Sequence, residues 1–315
     1  MYDSGEVIKV TYSIDEESFK DSMLYKVAWL YYNDELTQKE IADKLSINRV
    51  RVIRMLEEAR KKKIVSFNFS TISRGKLTLE KQLIDKYNLK DIFIVPWNAQ
   101  ETLAEDLGKA TALYLDSFIK DKATIGVGYG ETMGSFLKNL SRITEKELSV
   151  VSMTGGVTPY IRQIGNNIVD LKHYLIPTPL ILSKKELAQS LLQEPSVQKI
   201  KEKVHDSDVI VTSLGGMKKN ATVIKSGILN QIEFEKLKDK KAIGDILMHF
   251  VDCQGNIVNT DIEERIISTD LDIFMSNKNV IVAAGGDEKI DIIKTALIKG
   301  LVSILIIDER TAKFL

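Results

Sequence analysis

"VVSMTGG", residues 150–156, is an apolar run that ends on a glycine pair. The same figure returns as "VIVTSLGG" (209–216) and "VIVAAGG" (280–286), with a variant at "TIGVGYG" (124–130). Val- and Ile-rich runs without polar alternation suit strands that are covered on both faces. Between them lie segments of helical period, "LTLEKQLIDKYN" (77–88), "LAEDLGKATALYLDSFI" (103–119) and "TMGSFLKNLSRI" (132–143). Strands alternating with helices predict an α/β domain on a parallel sheet over residues 76–315. In such sheets ligands sit beyond the carboxyl ends of the strands, where all four glycine-bearing segments are expected. Glycine lets a backbone approach a ligand closely, and a helix start that follows favours an anion.

Residue chemistry narrows that site. "GVGYGETM" (126–133) has the spacing G-x-G-x-G rather than G-x-G-x-x-G, and no ribose-binding acid follows the next strand. No nicotinamide or other cofactor is expected. Lys289 falls one turn into a helix after Gly285 and Gly286, so an ammonium and backbone amides could share one phosphate. Asp245, inside the apolar "AIGDILMHF" (242–250), either accepts hydrogen bonds from ligand hydroxyls or caps a helix. Tyr129 either covers a sugar face or joins the core. Arg162, in the polar "VTPYIRQIGNN" (157–167), is a candidate anion contact. His173, His205 and His249 show no metal-ligand spacing, and no Ser/His/Asp or Cys/His combination stands out.

The first 70 residues follow a different pattern. Phe19, Met23, Val27 and Leu30 recur at helical spacing, and Thr37 followed by Glu40 is a capping box. Asn48 is a good N-cap for a further helix after a short turn. Two short helices so joined make a helix-turn-helix. Across residues 36–65, nine basic side chains against four acidic ones leave +5, whereas the whole chain is neutral. Thr37 and Gln38, with Asn48, Arg49, Arg51 and Arg54, are therefore expected to face double-stranded operator DNA, arginine pairing bidentately with guanine. "IVSFNFS" (64–70) alternates like a strand, and residues 71–75 have linker composition, with Gly75 as a breaker.

At 315 residues with 44% hydrophobic content, two globular domains are expected. The single cysteine, Cys253, excludes an internal disulfide. The N-terminus lacks the basic and apolar regions of a signal peptide, and no apolar run approaches the roughly 20 residues that span a bilayer. The expected location is cytoplasmic, with no membrane partner.

The chain resembles the SorC family of bacterial sugar-responsive transcriptional regulators. The resemblance starts with "VAWLYYNDELTQKEIADKLSINRVRVIRMLEEARKKKIV" (27–65). It continues through "IGVGYGETM" (125–133), "MTGGV" (153–157), "IPTPL" (176–180), "KSGIL" (225–229), "AIGDILMHFVDCQGNIV" (242–258) and "VAAGGDEKIDIIKTALIKGLVSILIIDERTA" (282–312). It implies an effector domain similar in fold to ribose-5-phosphate isomerase and glucosamine-6-phosphate deaminase, without their activity. It also implies a phosphorylated sugar or polyol effector, and homodimers or homotetramers on an operator, here expected to act as a repressor. The implied phosphate contacts are the amides of Thr154, Gly155, Gly156 and Val157 and those of Gly285, Gly286, Asp287 and Glu288, with Lys289 as the cation. Asp245 would accept from effector hydroxyls, Leu247 would line the pocket, and the loop Gly128, Tyr129, Gly130 would pack on the ligand. Asn48, Lys225 and Val251 depart from commoner family residues, and Thr154 stands where some members have a lysine. The rival reading is a phosphosugar isomerase or deaminase with an appended DNA-binding domain, against which the missing acid/base pair speaks.

Overall fold

The computed structural model of the chain describes residues 16–65, 71–156, 171–218, 221–277 and 279–315. The chain divides at Thr71 into two compact units. The first holds α1 (Glu16–Tyr32), α2 (Gln38–Leu45) and α3 (Arg49–Lys61). Thr37 and Glu40 close the capping box: Glu40 N donates to Thr37 Oγ1 (3.3 Å), and Thr37 N donates to Glu40 Oε2 (2.7 Å). Ser46, left-handed at φ 52°, ends α2, and Asn48 Oδ1 accepts from Arg51 N (2.7 Å) to start α3. Val27, Leu30, Ile41, Val52 and Leu56 fill the core between the three helices. Phe19 does not join them and is 59% exposed, because α1 meets α3 through Leu24 and Ala28, more than one turn further on.

The anticipated linker is helical. α4 (Thr71–Tyr87) runs through residues 71–75 with Gly75 inside it. A helical glycine costs only about 1 kcal/mol relative to alanine, which the good helix formers that follow can bear. Beyond Val65, the strand expected at 64–70 lies outside the described residues.

In the second unit seven strands form one sheet in the order β1-β10-β9-β5-β2-β3-β4, every neighbouring pair parallel. They are β1 (Asp91–Val95), β2 (Thr124–Val127), β3 (Leu148–Ser152), β4 (Leu171–Tyr174), β5 (Val209–Thr212), β9 (Val280–Ala283) and β10 (Ile304–Asp308). Successive side chains point to opposite faces. Ile210, Val282 and Leu305 pack into one apolar layer, and Val211, Ile281 and Ile306 into the other. The covering helices include α5 (Leu103–Asp116) and α6 (Glu131–Ile143). After these come α7 (Lys185–Leu192), α8 (Pro195–His205), α9 (Thr222–Lys225), α10 (Gln231–Asp239), α11 (Ile273–Ser276), α12 (Ile290–Ile298) and α13 (Glu309–Ala312).

One glycine pair differs from expectation. Gly215 and Gly216 form no loop; they lie in β6 (Leu214–Gly216), the first strand of a small antiparallel sheet with β7 (Gly244–Ile246) and β8 (His249–Val251). Gly215 pairs with Asp245, and a Cβ there would sit 1.8 Å from Asp245 Oδ1. Glycine is needed because a carboxylate occupies the space. The β7–β8 turn is also unusual. Leu247 (φ 52°) and Met248 (φ 71°) are both left-handed, in a two-residue turn that normally takes asparagine or glycine. Such a residue costs roughly 1–2 kcal/mol. Compensating bonds run from Met248 N to Asp245 Oδ2 (3.0 Å) and from Ser268 Oγ to Leu247 O (2.7 Å).

Candidate functional site

A cavity of about 340 Å³ opens at the carboxyl ends of β1, β2, β5 and β9. Five of the anticipated residues stand in its wall: Tyr129, Gly130, Asp245, Gly285 and Lys289. The parallel sheet explains the convergence, since the segment after each of these strands leaves from the same edge.

Asp245 is 3% exposed, and its Oδ2 accepts from the Tyr129 hydroxyl (2.6 Å) as well as from Met248 N. Burial pushes its carboxyl above the usual range, opposed by those two bonds and by the nearby Lys289 and His249 charges. Asp245 thus belongs to a strand and caps no helix. Lys289 is half-buried at the end of a 3-10 turn, Asp287–Lys289. Burial pushes its ammonium below the usual lysine value, opposed by Glu288, Asp245 and Glu131. Among the described residues its Nζ forms no ion pair and no hydrogen bond. α6 starts in the same wall at Gly130, Glu131 and Thr132, and its N-cap, Gly130 (φ 113°), supplies no side-chain hydrogen bond. An unpaired cation and an uncapped helix start in one cavity are complementary to an anion.

His249, beside Asp245 on the hairpin, is enclosed. Its Nδ1 lies 2.7 Å from Glu263 Oε1 and its Nε2 3.1 Å from Thr269 O. Burial works against its charged form, but the Glu263 carboxylate and the Thr269 carbonyl outweigh it and hold the imidazole above its usual value.

The other anticipated residues lie elsewhere. The amides of Gly155 and Gly156 donate to Ile267 O (2.8 Å) and Thr178 O (2.7 Å), and Thr154 is buried behind them. With their donors spent on backbone carbonyls, Gly155 and Gly156 form no cradle, and none of the three lines the cavity. Gly155 is required because a Cβ would meet Pro179 O at 2.4 Å. Gly286 likewise turns its amide inward, to Thr311 Oγ1 (2.7 Å). Leu247 is fully buried rather than lining the cavity. Its Cδ2 stands 3.1 Å from where a Cβ on Gly128 would be, and Thr212 Oγ1 only 2.1 Å, so Gly128 is a packing glycine. Val157 and Arg162 lie outside the described residues.

The sequence reading missed Gln100, Glu101, Glu131, Ser213 and Lys218, all in the cavity wall. Glu131 carried a signal, as the first residue after a glycine loop at a helix start. Lys218 did not; its 3.6 Å pairing with Glu288 joins segments seventy residues apart.

On the first unit Arg49, Arg51 and Arg54 of α3 are all exposed; Arg51 and Arg54 lie on the side away from the buried Val52, Leu56 and Ala59, and Arg49 stands at the helix start. Arg49 Nε donates to Gln38 Oε1 (3.2 Å), tying the starts of α2 and α3 together. Thr37 is committed to its cap, where its hydroxyl donates to Glu40 Oε2 (2.7 Å).

A helix-turn-helix with an arginine-lined third helix, on the same chain as a ligand cavity in an α/β sheet, defines a ligand-responsive transcriptional regulator. Residues 73–315 match the Sugar-bind family of sugar-binding domains. The transcriptional regulator LsrR of Enterobacter sp. (strain 638) is 30% identical over 298 residues, 93% of this chain and 92% of its own. LsrR of Escherichia coli K12 is 30% identical over 297 residues, 93% of this chain and 94% of its own. The full-length sorbitol operon regulator SorC of Klebsiella pneumoniae superposes with a TM-score of 0.68 at 23% identity, covering 93% of this chain and 97% of that one. A DeoR family transcriptional regulator from Listeria monocytogenes gives 0.70 at 22% identity, over 76% and 98%. The chain belongs to the Sugar-bind family and is a SorC-family transcriptional regulator, not an enzyme. Among the described residues no helix is long and apolar enough to cross a membrane.

Proposed function

We propose that the protein is a cytoplasmic repressor of a carbohydrate-utilisation operon, released by a phosphorylated sugar or polyol bound in the cavity. The observation that carries this reading is Lys289, a half-buried ammonium with no ion pair or hydrogen bond among the described residues. The phosphate goes to Lys289 and the first-turn amides of α6, in place of the segment after β3, whose glycine amides are already bonded. Asp245 and Tyr129 then meet the effector's hydroxyls, the carboxylate exchanging its bond from Tyr129 for one from the ligand. Arg49, Arg51 and Arg54 engage operator DNA, and the protein acts as a homodimer or homotetramer, so that paired helices meet paired half-sites. Effector binding changes operator affinity by a coupling on the order of 1–3 kcal/mol per site.

A thermal-shift screen of phosphorylated against unphosphorylated sugars tests the reading. A ligand at a hundred times its Kd adds about 2.7 kcal/mol. Stabilisation by phosphorylated sugars that disappears in Lys289→Ala is the expected result. Equal stabilisation by the unphosphorylated forms contradicts it.

A further inference from the structure

The turn that carries Lys289 is held from behind by the C-terminal helix, α13. Thr311 Oγ1 accepts from Gly286 N (2.7 Å) and donates to Asp308 Oδ2 (2.6 Å). Asp308 also accepts from Gly286 N (Oδ2, 3.2 Å) and from Thr311 N (Oδ1, 2.8 Å). Both residues are fully buried, and among the described residues no lysine or arginine pairs with Asp308. A buried carboxylate without a counter-cation is costly unless donors satisfy it. Here two amides and one hydroxyl do so, and one of those amides belongs to the glycine pair just ahead of the Lys289 turn. The approach is so close that a Cβ on Gly285 would lie 2.2 Å from Asp308 Oδ2.

The neighbouring residue acts on the outside of the same turn. Arg310 Nη2 donates to Asp287 Oδ2, and its guanidinium lies 5.0 Å from the centre of the Trp97 ring. Asp287 opens the turn that ends in Lys289, and Trp97 lies in the segment after β1 that brings Gln100 and Glu101 to the cavity. Adjacent residues of one short helix thus fix the Lys289 turn at Gly286 and Asp287, and Arg310 also joins it to a second wall of the cavity.

We infer that Asp308, Thr311 and Arg310 are positioning residues for the anion subsite, setting where the Lys289 ammonium stands. The inference rests on the phosphate reading above, and the experiment separates the two. Binding of inorganic phosphate and of ribose 5-phosphate to the full chain is measured by calorimetry for the wild type, Lys289→Ala, Thr311→Val, Thr311→Ser and Arg310→Gln. Valine keeps the shape of threonine but removes the hydroxyl, so Thr311→Val weakens phosphate binding about tenfold, while Thr311→Ser stays within about twofold. Arg310→Gln, at an exposed site, weakens it about threefold. The pH at which Lys289 deprotonates, followed by NMR on methylated lysines, moves toward the ordinary lysine value in Thr311→Val and not in Thr311→Ser. A purely structural threonine would leave that midpoint where it is.

If Lys289→Ala binds phosphate as the wild type does, the phosphate reading fails and takes this inference with it. If Lys289→Ala loses phosphate while Thr311→Val and Arg310→Gln keep it at wild-type strength, only the positioning role is overturned. Should Thr311→Val not fold, Arg310→Gln decides alone.

Discussion

The Tyr129 hydroxyl donates to Asp245 Oδ2 at 2.6 Å, across 116 residues of sequence. This bond joins the segment after β2 to the β7–β8 hairpin inside the cavity wall. Tyr129→Phe leaves a buried carboxylate with one donor fewer and is expected to lower stability by about 2 kcal/mol, because bonds to charged groups contribute roughly 1.5–3. It also raises the Asp245 carboxyl further. Denaturant melts measure the first effect, and a loss below about 0.5 kcal/mol would show that water replaces the bond.

His249 gives the fold a pH dependence of known sign. Both ring nitrogens face oxygens, Glu263 Oε1 and Thr269 O, and the folded imidazole is held above its usual value. A raised folded value means a stabilisation fully present below the unfolded histidine value of about 6.5. It disappears as pH rises through the folded value. Melting temperature should therefore fall on going from pH 6 to higher pH, and His249→Gln should flatten that slope. Asp245, also raised, acts in the same direction over a window that opens in the carboxylate range. An unchanged slope in His249→Gln would assign the dependence to another group.

Gly155→Ala separates folding from ligand binding. An added Cβ would meet Pro179 O at 2.4 Å and Thr178 Oγ1 at 2.7 Å, so overpacking should cost roughly 1–3 kcal/mol with no ligand present. A variant of wild-type stability that lost only effector binding would return the segment after β3 to the phosphate site.

What the sequence disclosed was local. The Thr37–Glu40 box and the Asn48 cap are spelled within four residues, and both appear in the structure at the expected positions. The strands of the main sheet were legible because burial on both faces leaves unbroken Val and Ile runs. The purpose of each glycine was not legible, because it depends on what packs against it from far along the chain. Gly155 answers to Pro179, Gly215 to Asp245, and Gly285 to Asp308. The same figure of strand and glycine pair therefore serves three different close approaches, and of these three glycines Gly215 and Gly285 line the cavity that holds Lys289 while Gly155 does not. Leu247 and Met248 carried no turn signal at all, since their left-handed backbone is imposed by Asp245 and Ser268.

For the first unit, Arg51→Ala should weaken operator binding and reduce the slope of log K against log salt by about 1 if the side chain meets a phosphate. If it instead reads a base, the slope stays and discrimination falls by about 1–3 kcal/mol at one base pair. A variant with wild-type affinity, slope and specificity would remove Arg51 from the interface.

In the proposed function an anion on Lys289 governs DNA binding. A mobility-shift titration of the operator complex with a stabilising phosphorylated sugar, run on wild type and Lys289→Ala side by side, tests it most directly. Equal operator affinity without ligand, release of wild type, and no release of Lys289→Ala at the same ligand concentration are expected. Release of both proteins at one concentration would contradict it.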